Sequence, residues 1–114
     1  MVINPPLRVP PDAVDQPLFS FLNAAVTVAA LRHAGAEVHL VDALLLGAPR
    51  RLAGGWVRLG SPVSRVLAAS PLREADAVVV LFPPWARLER NLVQVLRPLL
   101  EGLPSHLPQV LADG

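Results

Sequence analysis

Two strand-forming segments each run directly into a double proline, and these junctions constrain the fold more than any other feature of the sequence. Residues 1–4 precede Pro5 and Pro6, and residues 77–82 precede Pro83 and Pro84. A proline lacks an N–H, fixes its own φ and pushes the preceding residue toward extended backbone, so each pair ends its strand abruptly. If the two strands are parallel neighbours, both loops leave the carboxyl edge of the sheet, where open α/β folds bind ligands.

Strands alternate with helices along the rest of the chain. After the first strand, the pattern predicts a proline-rich loop over 5–17 and a helix over 18–34. A strand over 37–41, closed by Asp42, leads into an irregular segment over 43–60. The remaining elements are a helix over 63–70, the strand over 77–82, a helix from about residue 85, and a strand over 109–112. This βαβαβαβ order predicts a parallel sheet with helices on both faces. Right-handed crossovers give the strand order 2-1-3-4 of an open, Rossmann-like sheet of the flavodoxin type.

The predicted sheet stops at strand four. Folds of this type usually continue to a fifth strand, and an open apolar edge is one that natural proteins avoid. We therefore expect residues 1–114 to be an incomplete α/β domain, the N-terminal portion of a longer protein, or a domain whose strand-four edge is covered by a partner.

Apolar spacing predicts which helix faces are buried. For the first helix the predicted stripe is Leu18, Leu22, Ala25, Val26, Ala29 and His33, and Asp15 or Gln16 is the expected cap. For the last helix the stripe is Leu88, Leu92, Val95, Leu96, Leu99 and Leu103. Pro98 removes a helical hydrogen bond, so a kink or break is expected there.

The segment between the second strand and the second helix carries turn signals. Gly54 and Gly55 suit a two-residue hairpin turn between flanking strands. Trp56 is interpreted as a hairpin or domain-contact residue. Ser61 before Pro62 resembles a helix cap followed by proline at the first helical position.

Composition limits the partners. Apolar residues make up 53% of the chain and charged residues 17%, which predicts an apolar face covered by another domain, a protein partner or a second copy of the chain. A net charge of +1 gives no electrostatic support for nucleic-acid binding. The charge-free run from Gln16 to Leu31 is shorter than the roughly 20 residues that a membrane span needs, and no signal peptide is recognisable. A cytoplasmic protein without a membrane partner is expected.

No catalytic constellation emerges from the residues. The chain has no cysteine, which excludes disulfides and thiolate ligands, and its serines lack a Gly-x-Ser-x-Gly elbow. Asp42 ends a strand where a dinucleotide fold binds ribose, but Asn4-Pro5-Pro6-Leu7 stands where the glycine fingerprint would be. The histidines His33 and His39 are interpreted as structural.

Six short motifs, in order, resemble the cobalamin-binding domain at the N-terminus of many radical S-adenosylmethionine enzymes. Asn4-Pro5-Pro6 resembles the family's "NPP" opening, and residues 31–38 are similar to its "LR-x-x-G-x-E-V". The remaining similarities are at residues 40–42, 57–61, 74–79 and 110–114. The Asp-x-His-x-x-Gly motif of cobalamin mutases does not occur, and many members of the radical family also lack it.

The resemblance implies a corrin on the carboxyl edge, held by the loops after strands one, three and four. The residues carried over are Asn4, Pro5, Pro6, Leu7, Phe82, Pro83, Pro84, Trp85, Asp113 and Gly114. Asp113 replaces the first glycine of the family's usual "GG". The iron–sulfur cluster and S-adenosylmethionine would belong to a C-terminal radical domain, where a methyltransferase or cyclase activity would reside.

Three alternatives remain. The double prolines serve equally well as plain strand terminators. Trp85 suits packing at a helix start better than it suits a ligand platform. The whole domain could be a cofactor-free structural or interaction module of the same fold.

Overall fold

Seven short strands and a set of helical segments make up the part of the chain that the computed structural model describes, which is residues 1–10, 17–82 and 89–112. The strands are β1 (Val2–Asn4), β2 (Leu7–Val9), β3 (Leu40–Asp42), β4 (Arg50–Arg51), β5 (Val57–Leu59), β6 (Val78–Leu81) and β7 (Gln109–Ala112). The α-helices are α1 (Pro17–His33), α2 (Ala43–Leu46), α3 (Val63–Ala69), α4 (Glu89–Asn91) and α5 (Arg97–Gly102). Single 3₁₀ turns lie at Ala53–Gly55 and Leu72–Glu74, and a π-helical turn at Leu92–Leu96 joins α4 to α5.

Four parallel strands form the central sheet, in the order β3-β1-β6-β7. The α/β class and the four-stranded parallel sheet are thus confirmed. Neighbours lie in register, with Ile3 opposite both Val41 and Val80. Because β1 and β6 are parallel neighbours, the chain leaves both of them at the same edge of the sheet.

The sheet is covered on both faces, and successive side chains along each strand point alternately to one face and the other. Val2 and Leu81 pack with Ala24 and Val28 of α1. Their sequence neighbours point the other way, into a larger core shared with α3, α5 and the second sheet; this core contains Ile3, Val41, Val66, Val78, Val80, Phe82, Leu96 and Leu99. The period-two alternation explains why every residue of the run from Val78 to Phe82 is apolar, since both faces are buried.

A second, antiparallel sheet has the order β2-β5-β4, and β2 was not expected in it. Leu7–Val9 is a strand, whereas the sequence predicted an irregular proline-rich loop there. Leu7 pairs with Leu59 and Val9 with Val57, so the apolar side chains of both strands face the larger core. Three-residue strands are too short to show a reliable period, which is why this one escaped prediction.

The hairpin between β4 and β5 is confirmed, but its turn is longer than predicted. Leu52 N–H donates to the Trp56 carbonyl at 2.8 Å, which closes a three-residue loop over Ala53–Gly55. Gly54 and Gly55 have φ of 79° and 83°, a region that favours glycine.

The predicted buried stripe of α1 is wrong. Ala24 and Val28 are buried, whereas Leu22 and Val26 are 58% and 68% exposed. Ala25, Ala29 and His33 are exposed as well. The helix is apolar nearly all round, so periodicity alone could not choose its inner face. The side chain of Leu18 and the residues Asp15 and Gln16 lie outside the described part of the structure.

In the last helical segment the predicted stripe is correct at Val95, Leu96, Leu99 and Leu103, which are buried, but Leu92 is 39% exposed. The predicted irregularity near Pro98 takes the form of the π-turn, in which Arg97 N–H donates to the Leu92 carbonyl. A π-turn inserts one extra residue and rotates the preceding face. Asn91 is consequently buried in place of Leu92. Leu88 lies outside the described residues.

Two boundaries also differ from expectation. The second strand of the parallel sheet is Leu40–Asp42 rather than residues 37–41. Helix α3 begins after Pro62, which occupies the N-cap position without a side-chain hydrogen bond, so Ser61 is not the cap. Within the described ranges, no helix combines the length and apolar character required to cross a bilayer.

Candidate functional site

The carboxyl ends of β1 and β3 bring together two polar residues. Asn4 and Asp42 lie opposite each other in the parallel register, and Asn4 Nδ2 donates to Asp42 Oδ1 at 3.1 Å. The same oxygen accepts the Leu44 N–H at 2.9 Å, so Asp42 also caps α2. Both side chains are buried, at 2% and 4% exposure. This pair is the polar centre of the carboxyl edge.

Burial favours the neutral form of Asp42. It raises the pKa of Asp42, against the opposing effects of the hydrogen bonds from Leu44 and Asn4. The other carboxylate oxygen, Oδ2, is buried and has no hydrogen-bond partner among the described residues. A proton on Oδ2 would remove the cost of holding an unpaired negative charge in the protein interior.

A cavity of ≈ 230 Å³ adjoins Asp42. Its walls are largely apolar, formed by β3, α2 and the end of α3; the lining residues are His39, Leu40, Val41, Asp42, Leu45, Leu46 and Ala69. The cavity is large enough for a few water molecules or a small organic group, but not for a macrocycle.

The residue pair that follows β5, Gly60 and Ser61, contacts the start of α2 beside this centre. Ser61 N–H donates to the Ala43 carbonyl at 2.9 Å. Gly60 has φ of 86°, and a Cβ there would lie 2.6 Å from the same carbonyl oxygen. Ser61 Oγ is buried without a partner in the described part of the chain. The second sheet is therefore attached to the carboxyl edge by a junction that admits only glycine.

The residues predicted to follow strand one are all buried. Asn4 and Leu7 are each 2% exposed, and Pro5 and Pro6 are among the fully buried side chains. Pro5 and Pro6 form the connection between Asn4, the last residue of β1, and Leu7, the first residue of β2.

Phe82, the first residue predicted after strand three, is 0% exposed. Its ring belongs to the same core as Leu7, so the structure does bring the two predicted loops together, through their buried ends. Pro83, Pro84, Trp85, Asp113 and Gly114 lie outside the described residues.

A second group of polar residues makes contacts at the antiparallel sheet that the sequence did not predict. The Asn91 side chain accepts from Arg8 N–H at 2.7 Å and donates to the Arg8 carbonyl at 3.1 Å. Nearby, the Arg90 guanidinium lies over the Trp56 ring, 4.4 Å from its centroid. Trp56 is thus a contact residue of the hairpin, as interpreted from its position. Long-range pairs of this kind leave no local pattern in a sequence.

A cavity of ≈ 430 Å³ lies beside this pair, lined by Trp56, Glu89, Arg90, Val93 and Gln94. In the ranges that the structure covers, no group of three or more histidine, aspartate or glutamate side chains could hold a metal ion.

Comparison of the chain with known proteins gives no match to any family model, curated protein or solved structure. The resemblance to cobalamin-binding domains consequently depends on the short sequence motifs alone.

Proposed function

We propose that this domain is a cobalamin-binding module of the radical S-adenosylmethionine type, with a Rossmann-like sheet of the flavodoxin kind. The observation that carries the proposal is the parallel pairing of β1 with β6, which starts both double-proline loops from one edge of the sheet. Ligands of open parallel sheets bind at that edge, near the point where strand order reverses. In the order β3-β1-β6-β7 that point lies between β1 and β6.

The burial of the first loop changes the role that its residues would have. Asn4, Pro5, Pro6 and Leu7 have too little exposed surface to contact a corrin, and Phe82 is likewise enclosed. In the proposal these five residues form a rigid support. Contact with the macrocycle then falls to the candidates that follow Phe82 and Ala112, namely Pro83, Pro84, Trp85, Asp113 and Gly114.

Bound cobalamin would supply a cobalt centre for methyl transfer or radical chemistry in a separate catalytic domain. This chain would contribute binding and orientation. The exposed edge of β7, where Val110 and Leu111 are 54% and 43% exposed, is the proposed contact for that domain or for another protein partner.

The test is retention of corrinoid. Purified protein is incubated with hydroxocobalamin, desalted, and its visible spectrum recorded. The chain has two tryptophans, which provide a matched pair of variants: Trp85→Ala should weaken binding about tenfold or more, as loss of an aromatic contact does, whereas Trp56→Ala on the antiparallel sheet should not. Absence of corrin bands after desalting, or equal losses in both variants, would refute the proposal.

A cofactor-free interaction module is the second candidate, and the exposed apolar surface favours it. Leu22 and Val26 on the outer face of α1, together with β7, present apolar side chains to solvent. Monomeric proteins seldom expose such patches without a use. Light scattering on the same preparation tests it: concentration-dependent association without corrin binding supports this candidate, and a monodisperse monomer that retains corrin rejects it.

A further inference from the structure

Three arginines lie side by side across the antiparallel sheet. Arg8 of β2 is opposite Arg58 of β5, and Arg58 is opposite Arg50 of β4. Residues directly opposite in a sheet project from the same face. On β2 and β5 the flanking residues, such as Leu7 and Leu59, are buried in the larger core, so the alternation places this arginine row on the outer face.

The row is closely spaced. Both backbone groups of Arg8 are bonded to Asn91 and therefore point away from β5. Arg8 and Arg58 are thus a non-hydrogen-bonded pair, the kind in which opposite Cα atoms approach to about 4.5 Å and side chains are nearest. Arg58 and Arg50 then form a hydrogen-bonded pair, with Cα atoms about 5.5 Å apart.

Among the described residues, no carboxylate neutralises the row. In the part of the chain that the structure describes, none of Arg8, Arg50 and Arg58 has an ion-pair partner; the ion pair found there is Arg97 with Glu101, elsewhere on the surface. Like charges placed directly opposite each other destabilise a sheet. A bound anion would convert that repulsion into attraction.

Two of the guanidinium groups are held in position. Arg8 Nη1 donates to Gln94 Oε1, and Arg58 Nε donates to the Gly60 carbonyl at 3.1 Å. Arg8 Nε is buried without a partner among the described residues, so a ligand can reach only the terminal nitrogens of Arg8, whereas Arg50 is exposed. Arginine presents its donors in a planar fork that matches the oxygens of a phosphate.

The adjoining cavity extends this face. Gln94, which accepts from Arg8, also lines the ≈ 430 Å³ cavity beside Trp56 and Arg90. Trp56 is two residues from Arg58 on the same chain segment, so both side chains belong to the outer face. Glu89 is an acidic residue of the cavity wall.

From this arrangement we infer that the outer face of the antiparallel sheet is an oxyanion site, which binds the phosphate group of a small phosphorylated ligand through Arg8, Arg58 and Arg50. The site is independent of corrin binding, because its residues belong to the other sheet.

Calorimetric titration with inorganic phosphate and pyrophosphate, at constant ionic strength, tests the inference. Arg50→Gln and Arg58→Gln should each weaken binding about tenfold or more, the equivalent of one charged hydrogen bond. Arg51→Gln is the matched control, because Arg51 is adjacent on β4, carries the same charge and pairs with Val57 instead. Its affinity should stay within about twofold of the parent.

Further arms distinguish the source of the phosphate. A nucleoside monophosphate that binds more tightly than inorganic phosphate indicates an organic ligand that also uses the cavity, and equal affinity indicates a site for the free ion. No binding of either, or an equal loss in Arg51→Gln, would overturn the inference. A single-stranded oligonucleotide that binds while both phosphates fail would also overturn it, in favour of a polyanion surface. Circular dichroism of each variant confirms that the fold is retained.

Discussion

The side chain of Asn91 pairs with the backbone of Arg8 as a neighbouring strand would. Its carbonyl oxygen accepts the Arg8 N–H at 2.7 Å, and its amide donates to the Arg8 carbonyl at 3.1 Å. β2 is an edge strand of the antiparallel sheet, so these groups would otherwise be an unpaired edge. Asn91 is 1% exposed. One buried amide thus ends the sheet and joins it to the last helical segment.

Replacing Asn91 should cost substantial stability. In Asn91→Ala both backbone groups of Arg8 lose their partner, and a buried unsatisfied polar group costs about 1–3 kcal/mol. We expect the free energy of unfolding to fall by about 2 kcal/mol or more, measured by urea denaturation. Asn91→Asp turns a carboxylate oxygen toward the Arg8 carbonyl at a buried position, so at neutral pH it should lose at least as much stability as Asn91→Ala.

Asn23→Ala in α1 is the control for these variants. Its side chain is half-buried and belongs to the opposite side of the parallel sheet. It should change the unfolding free energy by no more than about 0.5 kcal/mol. Equal effects at Asn23 and Asn91 would contradict the importance of the Arg8 pairing.

The junction at Gly60 predicts a second, sharper contrast. A Cβ at Gly60 would meet the Ala43 carbonyl oxygen at 2.6 Å, whereas one at Gly55 meets nothing within 4 Å. Their φ angles are 86° and 83°, so backbone strain of about 1–2 kcal/mol is common to both substitutions. Gly60→Ala should therefore be less stable than Gly55→Ala by a further ~1 kcal/mol or more. Thermal or urea denaturation of the two variants measures the difference. Equal stabilities would contradict the prediction, because the Ala43 carbonyl would then move aside at little cost.

The free edge of β7 predicts association behaviour. Val110 is 54% exposed on a strand whose outer side has no neighbour in the described sheet. Val110→Lys should reduce concentration-dependent association, since lysine on an edge strand opposes strand addition, and should change stability by about 0.5 kcal/mol at most. Val26→Lys, on the 68% exposed face of α1, is the comparison. Light scattering measures both variants: loss of association in Val110→Lys alone identifies the edge of β7 as the contact, equal loss in both shows that the contact includes α1, and loss in Val26→Lys alone contradicts the prediction.

Sequence reasoning succeeded where many residues repeat one signal. The apolar run from Val78 to Phe82 was predicted to be a strand covered on both faces, and Gln109–Ala112 was placed with correct bounds. Parallel pairing followed from the alternation of strands with helices. These are features that every residue of a segment supports.

Sequence reasoning failed where a single long-range contact determines the local structure. β2 is three residues long and exists because Leu7 and Val9 have partners about 50 residues away in β5. The inner face of α1 was misassigned because its outer residues are equally apolar. At the carboxyl edge, the double prolines correctly marked where the first loop begins, but only the second sheet explains why that loop is buried.

Burial of Asp42 predicts a pH dependence with a definite sign. Because the pKa of Asp42 is raised in the folded state, the native protein keeps this proton at pH values where the unfolded chain has released it. The contribution of Asp42 to stability is thus full below its unfolded pKa, near 3.8, and is lost as pH rises through the folded pKa. Asp42→Asn cannot titrate, so its stability relative to the parent should increase over that window and then level off.

Urea denaturation in steps from acid to neutral pH measures this difference. Ser61→Ala, a buried and non-titrating change beside the same junction, should show a constant difference from the parent. An equally constant difference for Asp42→Asn would mean that the carboxylate is as well solvated in the folded protein as in the unfolded chain.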